Sequence, residues 1–269
     1  MKKFFAAVIV LVFLTSSASA EVIGSLNVGG METLNVSARI QSLLSHVLDS
    51  GLSAEVNTLK YYDSLTQMQL ALGKGEITAI ITPEIVGEYM LKNNPEYKLR
   101  GFMITKLPTA LAMGFRDDNA DLCARFSKVI EDMEREGVIG ILARDYITGP
   151  AAMAGTSPAV KFEHFDGAQT ITVALTGDIP PVDYAGTDGE PAGFNTAILA
   201  EIGRRLHVNI KTIMLDTVSR VPALKSGRAD VVFWFQIFSG YDVQPDVPEG
   251  VITSTPYYGW NKAVMIGKK

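Results

Sequence analysis

The chain has 269 residues, 47% of them hydrophobic and 20% charged, with 24 basic against 29 acidic side chains and a formal charge of −5. This composition excludes a disordered chain and leaves room for two modest domains or one large one. The acidic balance, without any clustered run of Lys and Arg, excludes a nucleic-acid surface, which needs concentrated positive charge against phosphates.

Taken in chain order, Met1-Lys2-Lys3, an apolar run from Phe4 to Leu14 and a small-residue stretch ending Ala18-Ser19-Ala20 read as a secretory signal, residues 1–20, cleaved after Ala20. The run is far short of the ~20 apolar residues that span a bilayer, and no later stretch is a candidate span. No cysteine stands near the cleavage site to take a lipid, so the expectation is a soluble periplasmic protein that starts at Glu21.

A short strand, Leu26-Asn27-Val28, then runs through Gly29-Gly30 toward a helix from Leu34 to Leu48, whose apolar residues Val36, Ile40, Leu43, Leu44, Val47 and Leu48 keep a helical period. Asp63-Ser64 stands where a cap would start a second helix, Leu65 to Leu72. A glycine turn and a short apolar strand ending at Thr82 follow. A strongly periodic helix spans Asn119 to Glu136 and is closed by Gly137, and a shorter one spans Val138 to Tyr146. Cys123, the only cysteine, sits on or beside the apolar face of the longer helix, which excludes an intramolecular disulfide. Residues 148–168, opening with Thr148-Gly149-Pro150 and including Gly155, Ser157 and Pro158, read as a linker.

Beyond the linker, Ile171 to Ala174 forms a strand, Gly177-Asp178-Ile179-Pro180-Pro181 a turn, and a helix follows Asn195, a plausible cap, with Ile198, Leu199, Ile202 and Leu206 on one side. Leu224 to Trp234 then repeats the pattern of Leu72 to Thr82 at a constant offset: helix end, glycine turn, apolar strand. Strands alternating with helices in two comparable halves imply βαβ units, parallel pairing and an α/β class. The histidines His46, His164 and His207 show no ligand spacing, so neither metal nor cofactor is expected.

Four ordered segments carry a family resemblance: Gly177-Asp-Ile-Pro-Pro181, Ala192-Gly-Phe-Asn195, Pro222 to Val232, and Thr255-Pro-Tyr-Tyr258. Together they resemble the opening half of a family 3 extracellular solute-binding protein, while the residues before them resemble the closing half. The resemblance implies a two-lobe type 2 periplasmic-binding-protein-like clamp, circularly permuted. Lobe two would occupy 21–109, a crossover strand and helices packing on lobe one 110–147, the linker 148–168, and the body of lobe one 169–269. It further implies that Glu21 to Ile23 adjoin Met265 to Gly267 at the hinge, with one continuous crossover near Ala110 to Phe115.

As function, the resemblance implies a monomeric periplasmic protein that captures a small polar solute, amino-acid-like or amine-bearing, and presents it to an ABC-type permease. Residues expected at the cleft are Gly30, Glu32, Thr33, Thr82 and Glu84 from lobe two, and Thr176, Asp178, Asp183, Tyr184, Trp234, Phe235, Gln236 and Asp242 from lobe one. For Glu32 and Asp178 a turn-capping role, and for Trp234 and Phe235 a core role, stand beside this reading. The Arg that amino-acid binders of the family usually carry after the lobe-one strand is replaced by Asp242, the Asp usual in lobe two corresponds to Pro83 beside Glu84, and an aromatic corresponds to Val182. Arg220 is either a substitute carboxylate partner or a solvated helix residue. The aromatics Trp234, Phe235, Tyr257 and Tyr258 would suit a cation or a flat ring, with Tyr257 and Tyr258 also readable as hinge residues. Two rival readings remain: a dehydratase-like enzyme using Glu84 or Glu32 as general acid, and a ligand sensor for a membrane receptor.

Overall fold

The structure is a computed structural model that describes residues 26–31, 56–238 and 247–269, without the side chains of 56, 103–108, 238 and 261. The expectations for residues 1–23, for the helix 34–48 and for Glu32, Thr33, His46 and Asp242 lie outside the described residues.

Two local units repeat. In the first, Ser64 caps α1 (Leu65–Lys74) by accepting from the amide of Gln67 at 3.1 Å, and the helix buries Leu65, Met68, Ala71 and Leu72 on one face. Gly75, at φ 76°, turns the chain toward β3 (Ala79–Pro83). In the second, Asp216 caps α7 (Thr217–Lys225) on the amide of Ser219 at 2.9 Å, and Gly227, at φ 74°, leads toward β10 (Val231–Phe238). The repeat expected from sequence is thus one of caps, buried stripe and left-handed glycine.

The remaining strands place these units in matching sheets. β1 (Leu26–Met31) pairs in parallel with β2 (Val56–Tyr62) and with β3. β5 (Thr170–Leu175) pairs in parallel with β9 (Asn209–Met214) and with β10. Two long strands finish both sets: β4 (Tyr97–Arg116) and β12 (Tyr258–Lys268). The lower part of β4 pairs antiparallel with β12, whose residues Ala263 to Ile266 also pair with β3. The upper part of β4 pairs with β10 and with β11 (Val251–Thr253). The nine-stranded sheet therefore divides into two halves of the same order, β2-β1-β3-β12-β4 and β9-β5-β10-β4-β11. The first half, which holds the strands of the stretch expected to be lobe two, is called lobe two, and the second is called lobe one.

Two expectations are corrected here. Residues 262–268 pair with β3 and the lower part of β4, so the end of the chain completes lobe two rather than the body of lobe one. For the same reason two strands, not one, pass between the lobes. Where they pass, the register slips: Trp260 faces Thr109 and Lys262 faces Ile104, so 105–108 of one strand oppose a single residue of the other. Pro108, without an N–H to donate, falls inside that bulge.

Lobe one gains its helical cover from α3 (Ala120–Arg135), which buries Leu122, Cys123, Phe126, Val129, Ile130 and Met133. α4 (Val138–Ala143) continues into a π-helical turn, Arg144–Thr148, and α5 (Pro150–Met153) forms one turn inside the stretch expected to be wholly linker. Residues 154–168 are irregular and are tied down by Asn209, whose side chain donates to the carbonyls of Phe165 and Ala168 and accepts the Phe165 amide. A small sheet, β6 (Asp178–Ile179), β7 (Asp183–Ala185) and β8 (Pro191–Ala192), leads into α6 (Phe194–Leu206). The expectation that Asn195 caps α6 is corrected: Gly193, at φ 96°, precedes the helix, and a Cβ there would meet the carbonyl oxygens of Pro181 and Val182 at 2.7 and 2.8 Å.

The packing of α2 (Glu84–Asn93) on β12 gives a test. A Cβ on Gly87 would lie 2.1 Å from Val264 Cγ2, whereas a Cβ on Gly73, near the end of α1, meets nothing within 4 Å. Gly87→Ala is expected to lower stability by about 1–3 kcal/mol through overpacking, although helix propensity alone favours Ala. Gly73→Ala is expected to raise it by about 0.5–1 kcal/mol. Urea unfolding of the two variants beside the wild type measures both.

Candidate functional site

The ends of corresponding strands from the two lobes meet. Asp178, just past β5, accepts the amide of Thr66 at the start of α1 at 2.9 Å through Oδ2. Thr217, at the start of α7, donates its amide at 3.4 Å and its hydroxyl at 3.1 Å to the carbonyl of Asp63, just past β2. The carboxyl ends of the parallel strands in one lobe therefore face those of the other, which is where α/β sheets hold ligands.

Behind the lobe-one side of this junction lies a buried polar network. Asp183, 1% exposed, accepts from the amides of Gly177 at 2.8 Å and Thr176 at 3.3 Å, from Asn195 Nδ2 at 3.3 Å and from Trp234 Nε1 at 3.4 Å. Asn195 Oδ1 in turn accepts from the Tyr257 hydroxyl at 3.0 Å. Burial pushes the Asp183 carboxyl up from its ordinary range, against the pull of the Gly177 and Asn195 hydrogen bonds and the charge of Arg220. Burial also pushes the Tyr257 phenol well above its ordinary value.

Arg220 is the positive member. It is 1% exposed, donating Nη1 to the Phe233 carbonyl at 3.0 Å and Nη2 to Thr217 Oγ1 at 2.8 Å, while Nε is buried without a partner. The Thr176 hydroxyl is likewise buried and unpartnered. Among the described residues no carboxylate lies within ion-pair distance of Arg220. Burial lowers its guanidinium to about 10, with Asp183 pulling the other way. That shift corresponds to about 3 kcal/mol against the charged form. The reading of Arg220 as a solvated helix residue is thereby corrected.

The other expected residues divide. Thr176, Asp183, Arg220 and Trp234 belong to the network, with Asp183 turned inward as its acceptor rather than presented to a cleft. Trp234, at φ 78°, also lies 6.3 Å from the ring of Trp260 on β12. Asp178 serves the lobe junction. Glu84 is ion-paired with Lys262, whose ammonium lies 5.4 Å from the centre of the Phe102 ring. Gly30 and Thr82 are buried on β1 and β3. Phe235 is core, packed where Gly114 leaves no Cβ, which decides that residue for the core reading. Gln236 lies further along β10 opposite Leu111, and the Tyr184 hydroxyl is hydrogen-bonded with Ser157. Sequence reasoning missed Asp63, Thr66 and Thr217 as partners across the lobes. The signal that could have found them is the repeat, which aligns Ser64 with Asp216, and both of these flank the junction. No group of His, Cys, Asp and Glu able to hold a metal occurs among the described residues.

Residues 171–269 match the family described as bacterial extracellular solute-binding proteins, family 3. Over 102 residues the chain is 28% identical to the ABC transporter arginine-binding protein 1 of Escherichia coli strain K12, a match that covers 38% of this chain and 40% of that one. The chain thus spans about two-fifths of that relative's length in the match. Among solved structures, the alkanesulfonate-binding protein SsuA from Xanthomonas axonopodis pv. citri bound to MOPS aligns over 93% of this chain and 67% of its own, at 10% identity and a TM-score of 0.43. The ligand-binding component of an ABC-type import system from Staphylococcus aureus aligns over 91% and 66%, at 9% identity and a TM-score of 0.43. Overlaps this loose add nothing to the strand order described above.

The network yields two expected outcomes. Tyr257→Phe removes a buried hydroxyl and orphans Asn195 Oδ1, so stability should fall by about 1–2 kcal/mol in chemical denaturation. Asp183→Asn turns an amide donor toward groups that already donate, and should cost about 1–3 kcal/mol at neutral pH. The raised folded-state pKa of Asp183 means the folded protein takes up that proton before the unfolded chain does. On acidification from neutral pH the wild type should therefore gain stability relative to Asp183→Asn, the gain being complete below the ordinary carboxylate range. Thermal midpoints of both proteins across pH measure the sign.

Proposed function

Because residues 171–269 carry the family 3 extracellular solute-binding sequence, we propose that the chain is a periplasmic substrate-binding protein. It closes two lobes over a small polar, amino-acid-like solute and hands it to an ABC-type permease, acting as a monomer without a catalytic step or a nucleic-acid partner. The observation that carries this reading is Arg220: a buried guanidinium with an unpartnered Nε, bonded through Nη2 to the Thr217 hydroxyl that reaches across the lobe junction. A solute carboxylate meeting Nε would neutralise a charge that burial now disfavours, and charge-assisted pairing of this kind gives both affinity and orientation. The amine-bearing alternative finds less support, since Glu84 is engaged by Lys262 and Asp183 is filled by four N–H donors. The engaged Glu84 likewise offers little to an enzyme reading that needs it as a proton donor.

The strand order also supports the permuted arrangement. Leu26 at the start of β1 and Met265 near the end of β12 share one buried cluster with Val28 and Ala79, so the two ends of the lobe-two portion adjoin. A lobe order joined there, and opened in 154–168, would restore the usual order of the family resembled.

A thermal-shift panel of L-amino acids, their decarboxylated amines and short dicarboxylates tests the proposal. Carboxylate-bearing members should raise the melting temperature and the matched amines should not. For whichever member binds, Arg220→Gln should weaken affinity about thirtyfold or more, the loss of about 2–5 kcal/mol expected when one partner of a buried charged contact is removed. A panel without any stabilising carboxylate, or an Arg220→Gln protein of unchanged affinity, would sink it.

A further inference from the structure

The two repeated helices α1 and α7 begin at the lobe junction, and each needs acceptors for the free amides of its first turn. Each takes one from its own lobe: Ser64 Oγ for Gln67 and Asp216 Oδ1 for Ser219, at equivalent places in the repeat. Each takes a second from the opposite lobe: Asp178 Oδ2 for Thr66, and the Asp63 carbonyl for Thr217. The Thr217 hydroxyl doubles the latter contact by donating to the same carbonyl while accepting from Arg220 Nη2 at 2.8 Å. We infer that this reciprocal capping is a latch: Asp178 and Thr217 hold the two lobes shut through protein–protein hydrogen bonds, separately from any contact with a solute.

The chemistry favours such a device. Asp178 places a carboxylate at the positive end of a ten-residue helix, where an anion is stabilised both by the N–H groups and by the helix dipole. Opening the lobes would strip α1 and α7 of one acceptor each at the same moment, so the two contacts make and break together. Arg220 fixes the Thr217 hydroxyl from behind, and the side chain proposed to meet the solute is therefore one hydrogen bond away from the lobe contact. Asp178 and Thr217 are positioning residues in this scheme, since they set the distance between the lobes.

The inference rests on the clamp reading for its biological sense, yet it is tested without any solute, so its failure and that of the binding proposal are distinguishable. Small-angle X-ray scattering and amide hydrogen exchange of the full chain would be compared for wild type, Asp178→Ala, Asp178→Ala/Thr217→Val and Ser64→Ala. The latch variants should increase the radius of gyration and speed exchange of the Thr66 amide about five- to tenfold, the factor a single lost cap supplies. Ser64→Ala, which removes a cap inside one lobe, should speed exchange in α1 and leave the scattering unchanged. Circular dichroism of each variant shows that it is folded. Scattering that stays the same in folded Asp178→Ala/Thr217→Val, or changes equally in Ser64→Ala, would overturn the latch.

Discussion

The antiparallel pairing of β4 with β12 is the constraint on which both lobes rest. Each lobe sheet has three parallel strands of its own and is completed by segments of these two strands. Backbone hydrogen bonds that would otherwise be left at a sheet edge are satisfied by strands whose other halves do the same for the other lobe. The register slip opposite 105–108 falls at the one place where pairing to both lobes has lapsed. The slip there interrupts the ladder between the two strands without breaking either half of the sheet.

Above that ribbon, the polar network shows how a protein can bury opposite charges without joining them. Asp183 is surrounded by N–H donors from the turn after β5, from α6 and from Trp234, so its charge is spread over neutral dipoles. Arg220 is held by a carbonyl and a hydroxyl, again neutral groups. Each ion feels the other through space, and each still shows the mark of desolvation in its pKa. A direct Asp–Arg ion pair would have offset both charges against each other. Separate housing leaves each charge solvated by neutral groups alone, at the cost of a less stable lobe.

Much of the fold is legible in local pattern. The caps Ser64 and Asp216, the buried stripes of α1 and α3 and the turn glycines Gly75 and Gly227 are set by residues close in sequence, so the repeat shows in the order of the amino acids alone. What depends on distant pairing does not. Nothing local marks 262–268 as part of lobe two, because Ala263 to Ile266 would suit either sheet equally well. Arg220 occupies the first turn of a helix, where a cation is ordinarily solvated, and only the packing of that helix against the sheet, where Arg220 bonds the Phe233 carbonyl, closes off water. Asn195 shows the opposite error: an Asn at the head of a helix usually caps it, but Gly193 fits between two carbonyls where no side chain could, leaving Asn195 free to serve Asp183 and Tyr257.

The position of β12 in the sheet also bears on how the chain folds. It separates β3 from β4 in lobe two, yet it is the last of the described strands in chain order. Until it arrives, β3 and β4 have a vacant slot between them, and lobe two is a pair of sheet fragments with unpaired inner edges. Filling that slot joins Met265 to Ile81 and Gly101, residues more than 160 positions earlier in the chain. Contacts of such long sequence separation form slowly. The first half of the sheet is thus completed only by the segment that stands last among the described strands, and its inner edges stay unpaired until that segment is in place.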